Sequence, residues 1–287
     1  MKDKDTKNEA KKRLDGALLA AVFLLFMFYS PRLFSGRLEC DPYSDWLQYK
    51  REPAVSVITV WHVVGVRPYV GSLGNWLEKQ AQKYTKKYVG IYFSVKAYSL
   101  EDAAKEMARG VFPDVMSFPA GEYPEELFFK RGNDTSPLPT ASVFCLSKRV
   151  FAYDPSAFED GDLSRIASSS GTEEEFKRGK CQACICDIRT AGNLLRALQL
   201  GKMRYFEITP SDEAPLAQCI AMSKNIDPLK LPYAEGLIER ILSEEAQSSL
   251  CELGLIPAEI KATVEYEQDW LLALYESVDR SAIPDAF

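Results

Sequence analysis

Residues 55–60, VSVITV, form a β-branched run that is apolar on both faces apart from Ser56 and Thr59. That is the pattern of a strand buried on both sides in a parallel sheet. Behind it, VGSLGNWLEKQAQKYTKKY sets Leu73, Trp76, Leu77, Ala81 and Tyr84 at helical spacing, with charges on the opposite face. VGIYFSVKAYS predicts a second strand. In SLEDAAKEMARG, Ser99 is placed to cap a helix, acids fill its first turn and Gly110 stops it. PDVMSFPAG predicts a short third strand running into a loop. Strand–helix–strand–helix–strand predicts parallel pairing with right-handed crossovers, hence an α/β fold.

Further on, ASVFCLSKRVFAYDPSAF is a long extended stretch over 141–153, closed by a turn at Asp154-Pro155. Polar EDGDLSRIASSSGTEEEFKRGK follows and reads as the least structured interior segment, its EEE run a solvated helix start. ACICDI then predicts a strand, with Cys184, Cys186 and Ile188 on one face and Ala183, Ile185 and Asp187 on the other. TAGNLLRALQLG predicts a helix capped by Thr190 and ended by Gly201. PLAQCIAMS is again extended, and a helix-rich tail covers YAEGLIERILSEEAQSSLCELG and PAEIKATVEYEQDWLLALYESVDR, where Trp270 reads as packing.

The N-terminus changes the picture. MKDKDTKNEAKKRLDG carries six Lys and Arg against four acids, and an uncharged apolar run follows over 17–29. A basic flank before an apolar run is the pattern of an export signal or membrane anchor. The basic side comes first, so the positive-inside rule places residues 31–287 outside the cytoplasm. We expect an uncleaved anchor over 1–30 and a tether over 31–54. Residues 55–287 form the folded part. The net charge of −6 provides no basic surplus for phosphates, which argues against a nucleic-acid partner.

Three of the seven cysteines fall in KCQACIC, at positions 181, 184 and 186. A single C-x-x-C with no second pair and one distant histidine, His62, is not zinc-ligand spacing. Cysteines inside apolar strands act as small hydrophobes, so we expect buried free thiols and neither a metal nor a cofactor. Ligand chemistry instead belongs where strands of an open α/β sheet end and helix N-termini begin. Asp187, Arg189 and Thr190 hold that position after one strand. An anion suits Arg189, Thr190 and the helix N-terminus, whereas a cation suits Asp187. Trp61 and His62 stand at the end of the first strand, with Gly65 allowing close backbone approach. Ser117, Phe118 and Tyr123 follow the third. No nucleophile–base–orienter set is visible, so no catalytic residues are expected.

Several segments together resemble bacterial extracellular solute-binding proteins. LIERILSEEAQSSLCELGLIPAEI and the IAMSKN step before it resemble the family's C-terminal region. VSVITVWHVVG, GVFPDVMSFPAG, SKRVFAYDPSAFED and GKCQACICDIRTAGNLLRAL are similar to its successive strand and ligand-side segments. The resemblance covers roughly residues 55 to 258. It implies a two-lobed, periplasmic-binding-protein-like fold with parallel-rich sheets and a ligand cleft that closes by hinge motion. Lobe 1 would span about 55–140 and 216–287, and lobe 2 about 141–215. The resemblance implies capture of a small molecule or ion for a membrane permease or a sensing partner. A second expectation is a repurposed envelope interaction domain that keeps the fold without a ligand, because the segment from Asp154 to Pro215 leaves only a small second lobe.

Overall fold

The computed structural model describes residues 56–279, except 87, 89, 122–140, 159–161 and 225. The anchor and tether expected over 1–54 lie outside the described residues. Among those described, no helix is long and apolar enough to cross a membrane.

The first βαβαβ run forms as its periodicity requires. β1 (Ser56–Val63), β2 (Ile91–Tyr98) and β3 (Val115–Pro119) are linked by α1 (Leu73–Thr85) and α2 (Leu100–Ala108), and β1 pairs parallel with both other strands. Ile58 and Val60 turn to one face of the sheet and join Leu73, Trp76 and Leu77 of α1 in the main core. Trp61 and Val63 turn to the other face, with Ala103 of α2. Ser99 caps α2 by accepting the Asp102 N–H at 3.1 Å. Gly110 takes the left-handed conformation, φ 82°, that ends it at no steric cost. Where β3 begins beside the middle of β1, the Asp114 carboxylate accepts the Thr59 N–H at 2.8 Å, the Thr59 hydroxyl at 3.0 Å and the Lys230 ammonium at 3.0 Å.

The long extended stretch from Ala141 splits into β4 (Ala141–Ser147) and β5 (Val150–Tyr153), which lie in different sheets. β4, β9 (Leu216–Met222) and the two-residue β10 (Ile256–Pro257) complete a six-stranded sheet of order β10-β4-β9-β3-β1-β2. β5 centres a four-stranded sheet of order β6-β7-β5-β8, with β6 (Ser170–Gly171), β7 (Ala183–Cys186) and β8 (Glu207–Pro210). The sheets are mixed, where the sequence predicts parallel-rich ones. β9 runs antiparallel to both β3 and β4, and β5 antiparallel to β7 and β8. Connectivity dictates this: the chain leaves the larger sheet through β4 and returns through β9 at the same end, so these strands must oppose each other.

The segment expected to be least structured carries α3 (Leu163–Ser168) and α4 (Glu173–Lys177). Asp162 caps the first, and Thr172 and Glu175 form a reciprocal capping box on the second. Each short helix anchors one apolar side chain, Ile166 or Phe176, which are 0% and 1% exposed. α5 (Ile188–Gln199) follows β7. After β9 come α6 (Leu231–Leu242) and α7 (Glu244–Ser248), broken apart at Ser243, which caps the second. Of the last predicted helical stretch only α8 (Asp269–Glu276) is helical.

Candidate functional site

β1 and β3 end, and β9 begins, along one edge of the six-stranded sheet. A polar row crosses these strands there. His62 Nδ1 lies 3.2 Å from Ser117 Oγ. Gln218 donates through Nε2 to Ser117 Oγ at 3.0 Å and to the Val63 carbonyl at 2.9 Å. Its Oε1 accepts the Val66 N–H at 3.2 Å. Ser117 Oγ accepts from Gln218 and keeps both its own hydrogen and a second lone pair, so it can pair with His62 Nδ1 in either neutral imidazole tautomer. Burial keeps the imidazole neutral, pushing the His62 pKa down to about 4. All three side chains are at most 2% exposed, so the row ties the start of the 64–72 segment to β9 from inside the fold.

Gly65 makes a close approach in that segment. A Cβ there would stand 2.4 Å from Pro119 Cβ and 3.1 Å from Gln218 Oε1. Trp61 and Phe118 do not share the face of His62 and Ser117. They are 3% and 1% exposed in the second core cluster, and the Trp61 ring meets Tyr98 at 4.6 Å. Tyr123 lies outside the described residues.

In the smaller sheet, α5 begins at Ile188, three residues before the start that a Thr190 cap would give. Asp187, not Thr190, is its cap: Asp187 Oδ1 accepts the Thr190 N–H at 2.7 Å. Both residue types cap well, and the earlier one wins because starting there adds helical hydrogen bonds. The carboxylate thereby occupies a first-turn N–H that an anion would need. Asp187, Arg189 and Thr190 are all half-buried. The Arg189 guanidinium donates to the Gly71 carbonyl, in the segment that follows β1.

The two sheets therefore meet between segment 64–72 and the first turns of α5. Tyr69 lies against Gly192 of α5, where an added Cβ would fall 2.2 Å from its Cε2. Its ring also meets Trp270 of α8 edge-on at 5.6 Å. Behind this contact the chain crosses between sheets twice, at 148–149 and at 211–215. The crossings are joined by a Ser211 N–H to Arg149 carbonyl bond of 3.1 Å and an Arg149–Glu213 ion pair of 3.5 Å. Sequence reasoning missed Tyr69, Gln218 and Gly192. Two left a signal: Gln218 is the only amide in an apolar strand, and Gly192 is a helix-weakening residue inside α5.

Cys184 and Cys186 are 0% and 8% exposed and face the main core with Ile188, as the alternation of ACICDI predicts. The Cys186 thiol donates a hydrogen bond to Cys184, and this, reinforced by burial, pushes it far above its ordinary range. Cys181 is half-buried, its Sγ 3.9 Å from the Thr172 carbonyl. Among the described residues no three His, Cys, Asp or Glu side chains gather as a ligand set for a metal.

No family model matches the sequence, and no curated protein matches it. Solved structures do match. The maltodextrin-binding protein MalE1 of L. casei BL23, without ligand, superposes with a TM-score of 0.55 at 13% identity, over 80% of this chain and 86% of that one. RafE of Streptococcus pneumoniae in its apo form gives 0.54 at 12% identity, over 80% and 88%. At such identities the likeness speaks to architecture, and it agrees with the two sheets and their paired crossings. The chain has the type II periplasmic-binding-protein fold of bacterial ABC substrate-binding proteins.

Proposed function

We propose that this chain is an extracytoplasmic solute-binding protein, held at the membrane by residues 1–30, that takes a small solute between two lobes. The first lobe is the six-stranded sheet with α1, α2 and α6 to α8. The second is the four-stranded sheet with α3 to α5, and 148–149 and 211–215 are the hinges. One observation carries the reading: the double crossing brings the first turns of α5 against the segment after β1, where strand ends and a helix N-terminus converge. The solute would sit between segment 64–72, including Gly65, and Asp187, Arg189 and Thr190. His62 and Ser117, with Gln218, support that wall from behind. A permease or a sensing partner would receive the loaded form. With Asp187 on the helix N-terminus, the site suits a neutral or cationic solute better than a small anion.

One observation favours a second reading, a domain that keeps the fold for protein interaction in the cell envelope. Tyr69 already fills space against Gly192, and Arg189 is already engaged by Gly71.

Thermal unfolding of residues 41–287 with a panel of sugars, amines, metal ions and oxyanions separates the two. A solute at 100 times its dissociation constant adds about 2.7 kcal/mol, a rise of roughly 5 to 10 °C for a domain of this size. A rise that disappears in Arg189→Ala supports solute binding. Silence across the panel from a folded sample supports the interaction reading.

A further inference from the structure

We propose that Tyr69 is a latch that holds the two lobes together without any solute, and that opening requires its ring to leave α5. The inference stands on the contact itself and does not require the solute-binding reading.

Tyr69 belongs to the first lobe. Val70 N–H reaches the Leu253 carbonyl at 3.4 Å, and a Cβ added to Gly254 would fall 2.6 Å from Tyr69 Cβ. Gly254 adopts φ 71°, in the left-handed region, so two separate constraints favour glycine there. The ring then extends into the second lobe and lies on the backbone of α5 at Gly192, which is buried. A glycine in the interior of a 12-residue helix weakens it, and here its missing side chain is what admits the ring.

Trp270 closes the slot edge-on from α8, a first-lobe helix that also packs against β8 of the second lobe. Leu271 of α8 would lie 3.4 Å from a Cβ on Gly254, on the first-lobe side. Lys148, in the first hinge crossing, donates to the Ser277 carbonyl at the end of α8 at 3.3 Å. Two residues from Tyr69, the Gly71 carbonyl accepts the Arg189 guanidinium of α5. Ring packing and a charge-assisted hydrogen bond therefore span the same gap from one short segment. The lobes are joined away from the hinges by a clasp that releases as a unit when the segment moves.

The test is a distance distribution between spin labels introduced through non-canonical residues at the exposed positions Lys79 and Lys202, one on each lobe, in the full chain without added solute. The native chain and Tyr69→Phe, which keeps the ring, give one narrow distribution. Tyr69→Ala and Gly192→Ala each add a second, longer distance. Gly192→Ala is the decisive variant should Tyr69→Ala misfold, because alanine favours the helix and disturbs only the ring's seat. A native chain already spread over both distances overturns the latch. So does a Gly192→Ala distribution that matches the native one.

Discussion

Replacing Gln218 with leucine tests whether the row behind the site is built as described. The side chain is fully buried and serves three partners: the Val63 carbonyl, the Val66 N–H and Ser117 Oγ. Leucine fills nearly the same volume, so the cavity contribution is small and the lost hydrogen bonds dominate. Two backbone groups are left without partners in a buried setting, at about 1–3 kcal/mol each, while the amide's own desolvation cost is removed. Ser117 retains His62. The net loss is about 2–4 kcal/mol, which at a urea m-value of about 2–3 kcal/mol/M lowers the midpoint by about 1 M. Equilibrium urea unfolding followed by tryptophan fluorescence measures it. A shift below about 0.5 kcal/mol with an unchanged m-value would refute the reasoning, because those backbone groups would then have found other partners.

Three further outcomes follow from the same geometry. Gly65→Ala places a methyl 2.4 Å from the rigid Pro119 ring, and a loss of about 1–3 kcal/mol is expected by calorimetry. The pKa of His62 is about 4 when folded against about 6.5 when unfolded, so the unfolded chain binds the extra proton between those values. Stability therefore falls as pH drops from 6.5 towards 4, by on the order of 3 kcal/mol, and His62→Asn flattens that slope. Asp114→Ala leaves the Thr59 N–H without its carboxylate and is expected to cost about 2–3 kcal/mol. Asp114→Asn keeps an acceptor, and chemical denaturation should show it losing less.

The parts legible in the sequence are those governed by local periodicity. β1, α1, the Ser99-capped α2 and the two-faced ACIC strand are set by alternation or 3.6-residue spacing and by single capping side chains. Strand direction was not legible beyond β3. β9 is antiparallel because the chain returns from the other sheet, a fact no local pattern carries. Strand alternation also separates candidates that stand together in sequence: Trp61 and Phe118 go to the α2 face, His62 and Ser117 to the α1 face. At α5 two capping residue types lie three positions apart, and composition alone does not rank Asp187 over Thr190. Tyr69 was silent because its significance lies in two distant glycines, Gly192 and Gly254, that leave room for its ring and its Cβ respectively.

The central claim is that a solute bridges segment 64–72 and the first turns of α5. Hydrogen exchange of the full chain, read by mass spectrometry with and without each solute of the panel, tests it most directly. At least one solute is predicted to slow exchange over 64–72 and 187–192 together. Protection confined to one of the two segments, or no protection from any solute, would contradict the account.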